Sequence, residues 1–327
     1  MDPFDSCAFG DWYDALATGA RADREAPVVS TLKALAFSLQ NPGERLRRLA
    51  VAAVEDGQTV GAMLFELPLV DNLTNVSVEI DVPPAHRRKG VATALWAWAV
   101  ERAAAEQRTI VQTEINVPRG FGLDEWPGAV FAAKLGLVSE NTEDHFVTRL
   151  PFDAETYSLL KAKAPALTSY RLISWAGSCP EEQLQAYAEL HSAMERDVPS
   201  GGLTREASVW DAERVRKSEA RLAESYLSLV TLAQTLDGEP AGYTLIYVPL
   251  DDPANVLQDD TLVLREHRGN NLGTHLKLAN LDQLAAAQDH HGWLHTWTSD
   301  ENGPMQKVNA RFGFRPVEQM HEFEGTI

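Results

Sequence analysis

Two stretches of the chain, far apart, show the same succession of apolar and polar positions. Leu49 to Val54 and Val60 to Leu67 are β-rich runs on either side of Asp56-Gly57, a pair that favours a tight hairpin turn. Leu227 to Leu236 and Ala241 to Val248 repeat this around Asp237-Gly238. A further strand follows each hairpin: Val76 to Val82, with apolar residues alternating onto one face, and Gln258 to Leu264. Each then leads through a loop into a helix. Val91, Leu95 and Trp98 mark one helical stripe, and Leu272, Leu276 and Ala279 mark the other. Strands over Thr109 to Val117 and Trp293 to Thr298 come next. Helices are expected ahead of each sheet, over Asp11 to Thr18 and Ser30 to Leu39, then over Pro180 to Arg196 and Glu206 to Ser225.

The two patterns are in register. Asp56-Gly57 and Asp237-Gly238, Pro68-Leu69 and Pro249-Leu250, Arg87 and Arg268, Ala92 and Gly273, and Leu95 and Leu276 are all 181 residues apart. One offset held without a gap identifies a tandem duplication. The order of helices, antiparallel strands and one strand–helix–strand crossover predicts an α+β fold in each copy: a mixed, mostly antiparallel sheet flanked by helices. Pro151 to Ser169 carries no copy of the pattern, so the domains are expected at 1–155 and 165–327.

Composition narrows the function classes. The 327 residues include 29 basic and 47 acidic side chains, a net charge of −18. That sign repels phosphate backbones and anionic membranes, so neither nucleic acid nor membrane is an expected partner. It suits a cationic substrate, and equally serves solubility. No apolar run is long enough to span a bilayer, and Met1-Asp2-Pro3-Phe4-Asp5 does not read as a secretory signal. Cys7 and Cys179 are the two cysteines, too few for a disulfide framework or a zinc site, so a reducing cytoplasm is expected. His290, His291 and His295 have no metal-site spacing and read as helix-end residues; no metal is expected.

The loop between strand and helix carries the chemistry. In Arg87-Arg88-Lys89-Gly90-Val91-Ala92-Thr93, Gly90 permits a left-handed turn, the following N–H groups open a helix, and Ala92 lets a bulky ligand approach. Three cations beside them suit phosphates. The second copy reads Arg268-Gly269-Asn270-Asn271-Leu272-Gly273-Thr274, with Asn271 where Gly90 stands; Asn tolerates the left-handed region best after Gly.

Val82 to Ala92 resembles the signature of the GNAT superfamily of acyl-CoA N-acyltransferases, Arg/Gln-x-x-Gly-x-Gly/Ala after a strand ending in Val-x-Pro, and Val263 to Gly273 is similar. The layout resembles the tandem GNAT enzymes of actinobacteria, of which mycothiol synthase is one. The resemblance implies acetyl-CoA, or another acyl-CoA, as co-substrate. Its pyrophosphate would lie on Arg87 to Thr93 or Arg268 to Thr274, and its pantetheine arm along the strands ending at Val82 and Val263. Asn302 to Phe314 is similar to the closing segment of the family, which implies that Asn302 orients the cofactor arm. Asn309 stands where the family places a proton-donating Tyr, and Ala132 does so in the first copy, with Glu125 at the Asn position. An amide can hydrogen-bond a sulfur but not deliver a proton.

Asp260 and Glu79 each lie eight residues before the loop Arg, where acidic strand residues act as bases in some members of the family. With Asp259, His267, Thr298 and Asp300 nearby in sequence, and Glu195 and Asp197 at a helix end, the second copy has the richer polar set. The expected function is acetyl transfer to the amine of a small molecule in a ternary complex, catalysed by the C-terminal half, with Asp260 and Asn309 as site residues and Glu79 as their counterpart. The alternatives are an acyl-CoA sensor without turnover and mycothiol synthesis.

Overall fold

The computed structural model describes residues 1–287, 292–299 and 301–327. In chain order the elements are α1 (Ser6–Arg21), α2 (Leu32–Gln40), β1 (Leu46–Glu55), β2 (Gln58–Pro68), β3 (Asn75–Asp81), α3 (Val91–Ala105), β4 (Ile110–Pro118), α4 (Pro127–Lys134) and β5 (Val138–Leu150). They continue with α5 (Ala154–Lys163), β6 (Tyr170–Ala176), α6 (Leu184–Asp197), α7 (Ala212–Leu222), β7 (Tyr226–Thr235), β8 (Pro240–Pro249), β9 (Asn255–Val263), α8 (Leu272–Ala287), β10 (Gly292–Ser299), α9 (Gly303–Arg311) and β11 (Arg315–Thr326). His290, His291 and Asp300 lie outside the described residues. No helix among the described residues is long and apolar enough to cross a membrane.

The chain divides into two compact units, and neither is one continuous stretch. The N-terminal unit holds residues 1–143, 200–206 and 317–327; the C-terminal unit holds 144–199 and 207–316. The single division expected between 155 and 165 is therefore replaced by several. In the N-terminal unit the strand order is β1-β2-β3-β4-β11, followed by the first part of β5. Strand pairing is antiparallel between β1 and β2, β2 and β3, and β4 and β11, and parallel between β3 and β4. Helix α3 covers one face, packing Leu95, Ala99 and Ala103 on Met63, Phe65 and Val78. Helices α1 and α2 cover the other with Trp12, Leu16 and Leu35 against Ala62 and Leu64. Trp12 is fully buried, and its indole N–H is satisfied by the Val51 carbonyl at 3.0 Å. The stripe Phe9, Trp12, Leu16 sets the register of α1, and the Asp5 side chain caps its first N–H groups.

The C-terminal unit repeats the plan as the second part of β5, then β10-β9-β8-β7-β6. Again β9 and β10 are the parallel pair. Leu278 and Leu281 of α8 pack on Ile246, Val256 and Leu294, while Tyr187, Leu190 and Val215 of α6 and α7 pack on Val230, Leu232 and Tyr243.

The helix expected over Glu206 to Ser225 is confined to Ala212–Leu222, because Asp211 caps it by accepting from the Arg214 N–H. Residues 200–206 fold instead into the N-terminal unit, where Asn75 donates to the Thr204 carbonyl (2.7 Å) and Thr204 donates through N and Oγ1 to Glu324 (2.8 and 2.6 Å). His295 is not at a helix end: it lies buried in β10, hydrogen-bonded to His145 (2.9 Å) and Asn255 (3.1 Å).

Candidate acyl-CoA and acceptor sites

Each unit opens a wedge at its parallel pair. β3 and β4 pair through Asn75–Ile110, Val76–Val111 and Ser77–Gln112 and then part. β9 and β10 pair through Asn255–Trp293, Val256–Leu294 and Leu257–His295 and then part. Beyond these points the strand edges face a gap, where their free N–H and C=O groups can pair with an extended ligand carrying amides.

The loop at the mouth of the N-terminal wedge has two left-handed residues, Arg88 (φ 63°) and Gly90 (φ 86°), and Gly90 caps α3. A Cβ on Gly90 would meet nothing within 4 Å, so the space before the helix is open. Gly61 explains why the repeat retains a glycine in β2: a Cβ there would stand 2.5 Å from Val91 Cγ1, at the first turn of α3. Arg87 does not point out of the loop. Its Nε donates to the Val82 carbonyl (3.1 Å) and its Nη1 to Asp23 (3.2 Å), stapling the loop to the end of β3. Arg88 and Lys89 are exposed and have no ion-pair partner among the described residues. The cradle therefore offers the N–H groups of the first helical turn, over Val91, Ala92 and Thr93, with two uncommitted cations.

The C-terminal loop keeps the turn. Gly269 (φ 84°) and Asn271 (φ 58°) occupy the left-handed region at the positions of Arg88 and Gly90. Arg268 again donates to the preceding strand, at Val263 O (3.0 Å), and pairs with Asp197. Asp197 also holds Arg265 at 3.5 Å, so this helix-end acid is committed to the loop. Asn270 donates to Tyr170 and to the His267 carbonyl. The N–H groups over Leu272 and Gly273 remain at the helix start, but the uncommitted cations of the first copy have no equivalent among the described residues.

On the face of the N-terminal sheet that carries α1 and α2, carboxylates gather beside the wedge. Glu79 pairs with Leu64 across β2 and β3, Asp81 with Ala62, and Glu114 faces Glu322 across β4 and β11. Glu79 and Glu114 keep open surface yet have protein on most sides, as groups lining a cleft do. Burial, then the Glu66 charge, raises the Glu79 carboxyl; burial, then Glu79, raises Asp81 further. Burial and the charge of Glu322 push Glu114 and Glu143 up to about 7. Of the cations close by, Arg24 is spent on a buried bidentate pair with Glu318 (2.6 and 2.9 Å), and Arg48 on Glu66. Arg205 also acts on Glu143, and the cleft still holds more carboxyl groups than cations.

The equivalent face of the C-terminal unit is built differently. Between Thr244 and Ile246 the partner in β9 steps from Thr261 to Gln258, a bulge that turns Asp259 and Asp260 out of the regular ladder. Asp260 accepts a hydrogen bond from Tyr243, whose hydroxyl also lies 3.2 Å from His191 Nδ1. Burial, then Arg214, pushes His191 down to about 4, so it stays neutral, stacked on Trp210. Burial and Asp260 push Asp259 up to about 8. On the opposite face, Asn309 is wholly buried, donating to Thr298 (3.0 Å) with its Oδ1 unpartnered. Asn302 caps α9 by accepting from Met305 (3.2 Å), and Glu195 accepts from Trp210. In the first copy Glu125 accepts from the Gly122 N–H, and Ala132 is buried packing. Burial, then Glu219, pushes the Cys179 thiol to about 12, which removes it as a nucleophile; Cys7 is exposed. No cluster of metal-ligating side chains is present among the described residues.

Several residues here escape sequence reasoning: Tyr243 and His191 around Asp260, and Glu114, Glu143 and Glu322 around Glu79. The alternation of charged residues in Val138 to Leu150 and Arg315 to Thr326 is the available signal, since strands that line a polar cleft alternate polar with polar.

Residues 12–119 match the acetyltransferase (GNAT) family. The whole chain is similar to a tandem GNAT protein from the clavulanic acid biosynthesis pathway, with 28% identity, all of this chain and 97% of the other covered, and a TM-score of 0.81. A GCN5-related N-acetyltransferase from Sphaerobacter thermophilus shares the fold at 15% identity, covering 100% of this chain and 94% of the other, with a TM-score of 0.66. So does N-myristoyltransferase from Saccharomyces cerevisiae, with bound myristoyl-CoA, at 13% identity, covering 99% and 76%, with a TM-score of 0.58. No curated protein matches the chain. Fold and loops together define an acyl-CoA-dependent acyltransferase. Residues 12–119 match a GNAT acetyltransferase domain, and over its whole length the chain shares the fold of a tandem GNAT protein.

Proposed function

We propose that the protein transfers an acetyl group from acetyl-CoA to the amine of a small cationic molecule, with both substrates bound together, and that the N-terminal unit carries the transfer. The observation that carries this reading is the meeting, in one unit, of an anion cradle with free cations and a carboxylate-lined cleft on the other side of the same wedge. The orphaned wedge edges and the helix-start N–H groups of Val91, Ala92 and Thr93 fit a CoA thioester; Arg88 and Lys89 would screen its phosphates. Bound there, acetyl-CoA supplies a carbonyl already activated by its thiol leaving group.

The residues of the chain then have three tasks. The carboxylates of Glu114, Glu143 and Glu322 draw in the ammonium form of the acceptor. Glu79 takes a proton from it, since burial and the Glu66 charge raise its proton affinity and so make it a stronger base. N–H groups on the parted edge of β3 face the oxygen that gains charge. No side chain at the Ala132 position donates a proton, and none is required: a thiol with a pKa of about 8.5 leaves readily as thiolate near neutrality.

A second reading keeps the sequence expectation that the C-terminal unit works, with Asp260 as base. The bulge at Asp259–Asp260 and the link from Tyr243 to Asp260 favour it. Against it stand the absence of free cations in its loop and the commitment of Asp260 to a donor. Homologous substitutions separate the two. Calorimetric titration of acetyl-CoA into Ala92→Glu and Gly273→Glu should show binding lost with the first and kept with the second. Loss with Gly273→Glu alone transfers the proposal to the C-terminal unit, and binding by neither variant nor wild type defeats both. A Cβ at Gly273 meets nothing within 4 Å, so that variant is expected to fold. The two unpaired thiols fit a cytoplasmic location.

A further inference from the structure

Residues 200–206 follow α6 in the chain, yet they fold into the N-terminal unit as a strap across its sheet. The Gly202 N–H donates to the Glu140 carbonyl of β5 (3.0 Å), and the Thr204 carbonyl accepts from Asn75 of β3 (2.7 Å) and Gln112 of β4 (3.2 Å). Thr204 donates through N and Oγ1 to Glu324 of β11, and the Glu206 N–H donates to Asn72 (2.7 Å). Asn75 is 2% exposed as a result. Gly201 adopts φ 55°, and a Cβ on it would stand 2.0 Å from the Glu140 carbonyl oxygen. The strap lies flat on β5 because position 201 has no side chain.

The strap borders the carboxylate cleft. Residues an even number apart on a strand share a face, so Asn75 lies on the face of Glu79, Gln112 on that of Glu114, and Glu324 on that of Glu322. Ser77 and Gln112 are the last paired residues before β3 and β4 part, so the strap reaches the point where the wedge opens. From Gln112 to Glu114 is about 7 Å along β4, at about 3.3 Å per residue. Burial and Glu322 raise the Glu143 carboxyl, and the charge of Arg205, on the strap, opposes them. In the C-terminal unit the same place is filled by the strands themselves. Asn255 and His295 take the positions of Asn75 and Gln112 in the pairing of β9 with β10. His295 bonds Asn255 (3.1 Å) and His145 of β5 (2.9 Å), with both imidazoles wholly buried. A plug of strand side chains is fixed, whereas a strap held by hydrogen bonds can change without disturbing the sheet.

We propose that residues 200–206 form the end wall of the acceptor cleft, and that Gly201 and Thr204, which hold them down, set the length of amine that can reach Glu79. The proposal rests on the placement of the acceptor in the N-terminal unit. With the strap down, the cleft ends at Thr204. With it lifted, Asn75, Gln112 and Glu324 become cleft lining, and Glu324 offers its carboxylate to a second, more distant ammonium. Longer linear diamines therefore gain most from its displacement.

The test is kcat/KM for acetyl transfer to linear diamines of increasing length, from diaminoethane to diaminooctane, in wild type, Gly201→Val, Thr204→Ala and Glu79→Gln. Hydrogen exchange at the Gly202, Thr204 and Glu206 N–H groups reports whether the strap has lifted. Wild-type values should decline with length. In Gly201→Val, with those N–H groups unprotected, the ratio of diaminooctane to diaminoethane should rise at least about tenfold while acetyl-CoA affinity is unchanged. Thr204→Ala removes one bond to Glu324; it should shift the ratio the same way by less, and it decides the matter if valine at 201 prevents folding. An unchanged ratio in a variant whose strap has lifted overturns the proposal, and an inactive Glu79→Gln then leaves transfer in the N-terminal unit standing. Wild-type rates in Glu79→Gln, or no transfer by wild type to any diamine, overturn that reading and the proposal with it.

Discussion

Replacing Lys277 by methionine should stabilise the protein, and by an amount that depends on pH in a calculable way. The side chain is buried against Phe314 with no counter-ion among the described residues, and burial lowers its proton affinity from an ordinary 10.5 to about 7. At about 1.4 kcal/mol per pH unit, that gap of about 3.5 units amounts to about 5 kcal/mol. Below pH 7 the amine is protonated in both folded and unfolded chains, so the cost of burying the charge is present in full. Between pH 7 and 10.5 the unfolded chain holds a proton that the folded one lacks, so raising the pH favours folding. Above that range the cost is gone. Methionine fills a similar volume, and its sulfur sits well beside an aromatic ring. Urea midpoints of wild type and Lys277→Met at pH 6, 8 and 10 test this. The advantage of the variant should be largest at pH 6 and shrink by about 1.4 kcal/mol per pH unit between pH 7 and pH 10. A difference that stays constant across this range would refute the reasoning, because it would mean that the amine keeps its ordinary affinity.

Other consequences follow from the same geometry. Glu114 and Glu143 lose their charge as the pH falls through about 7, so affinity for a cationic amine should fall with it; in Glu114→Gln the KM for the amine should rise and lose part of that pH dependence. Asn271→Ala should cost about 1 kcal/mol in thermal unfolding, because alanine must be forced to φ 58°, while Asn271→Gly should be neutral or better. Tyr243→Phe removes the donor to Asp260; it should lower stability by about 1 kcal/mol and leave acetyl transfer intact if the N-terminal unit is the working one.

The duplication was readable because hairpin glycines and loop residues recur at a fixed offset, and those positions are dictated by backbone geometry. Gly61 must be small because Val91 presses against it, and Asn271 can replace Gly90 because both tolerate a left-handed turn. The strands β5 and β11 were not predicted. Their faces line a cleft, so Glu143, Glu322 and Glu324 interrupt the apolar alternation that marks a half-buried strand. Residues 200–206 look like the lead-in to a helix, and it is their bonds to Asn72, Asn75, Gln112, Glu140 and Glu324 that attach them to the N-terminal unit. The roles of the loop cations also depended on three-dimensional detail. Arg87 and Arg268 read as phosphate ligands, yet both are turned back onto their own strands, leaving Arg88 and Lys89 as the free charges. Nothing in the sequence says that α8 buries Lys277 as well as its apolar stripe.

The central claim is that Glu79, beside the N-terminal wedge, serves the transfer. Its most direct test is the single-turnover rate of acetyl transfer from acetyl-CoA to a panel of small amines, followed by mass spectrometry, in wild type, Glu79→Gln and Asp260→Asn. The account predicts a loss of about 100-fold or more in Glu79→Gln, with Asp260→Asn close to wild type. Full activity in Glu79→Gln, with the loss in Asp260→Asn, would contradict it.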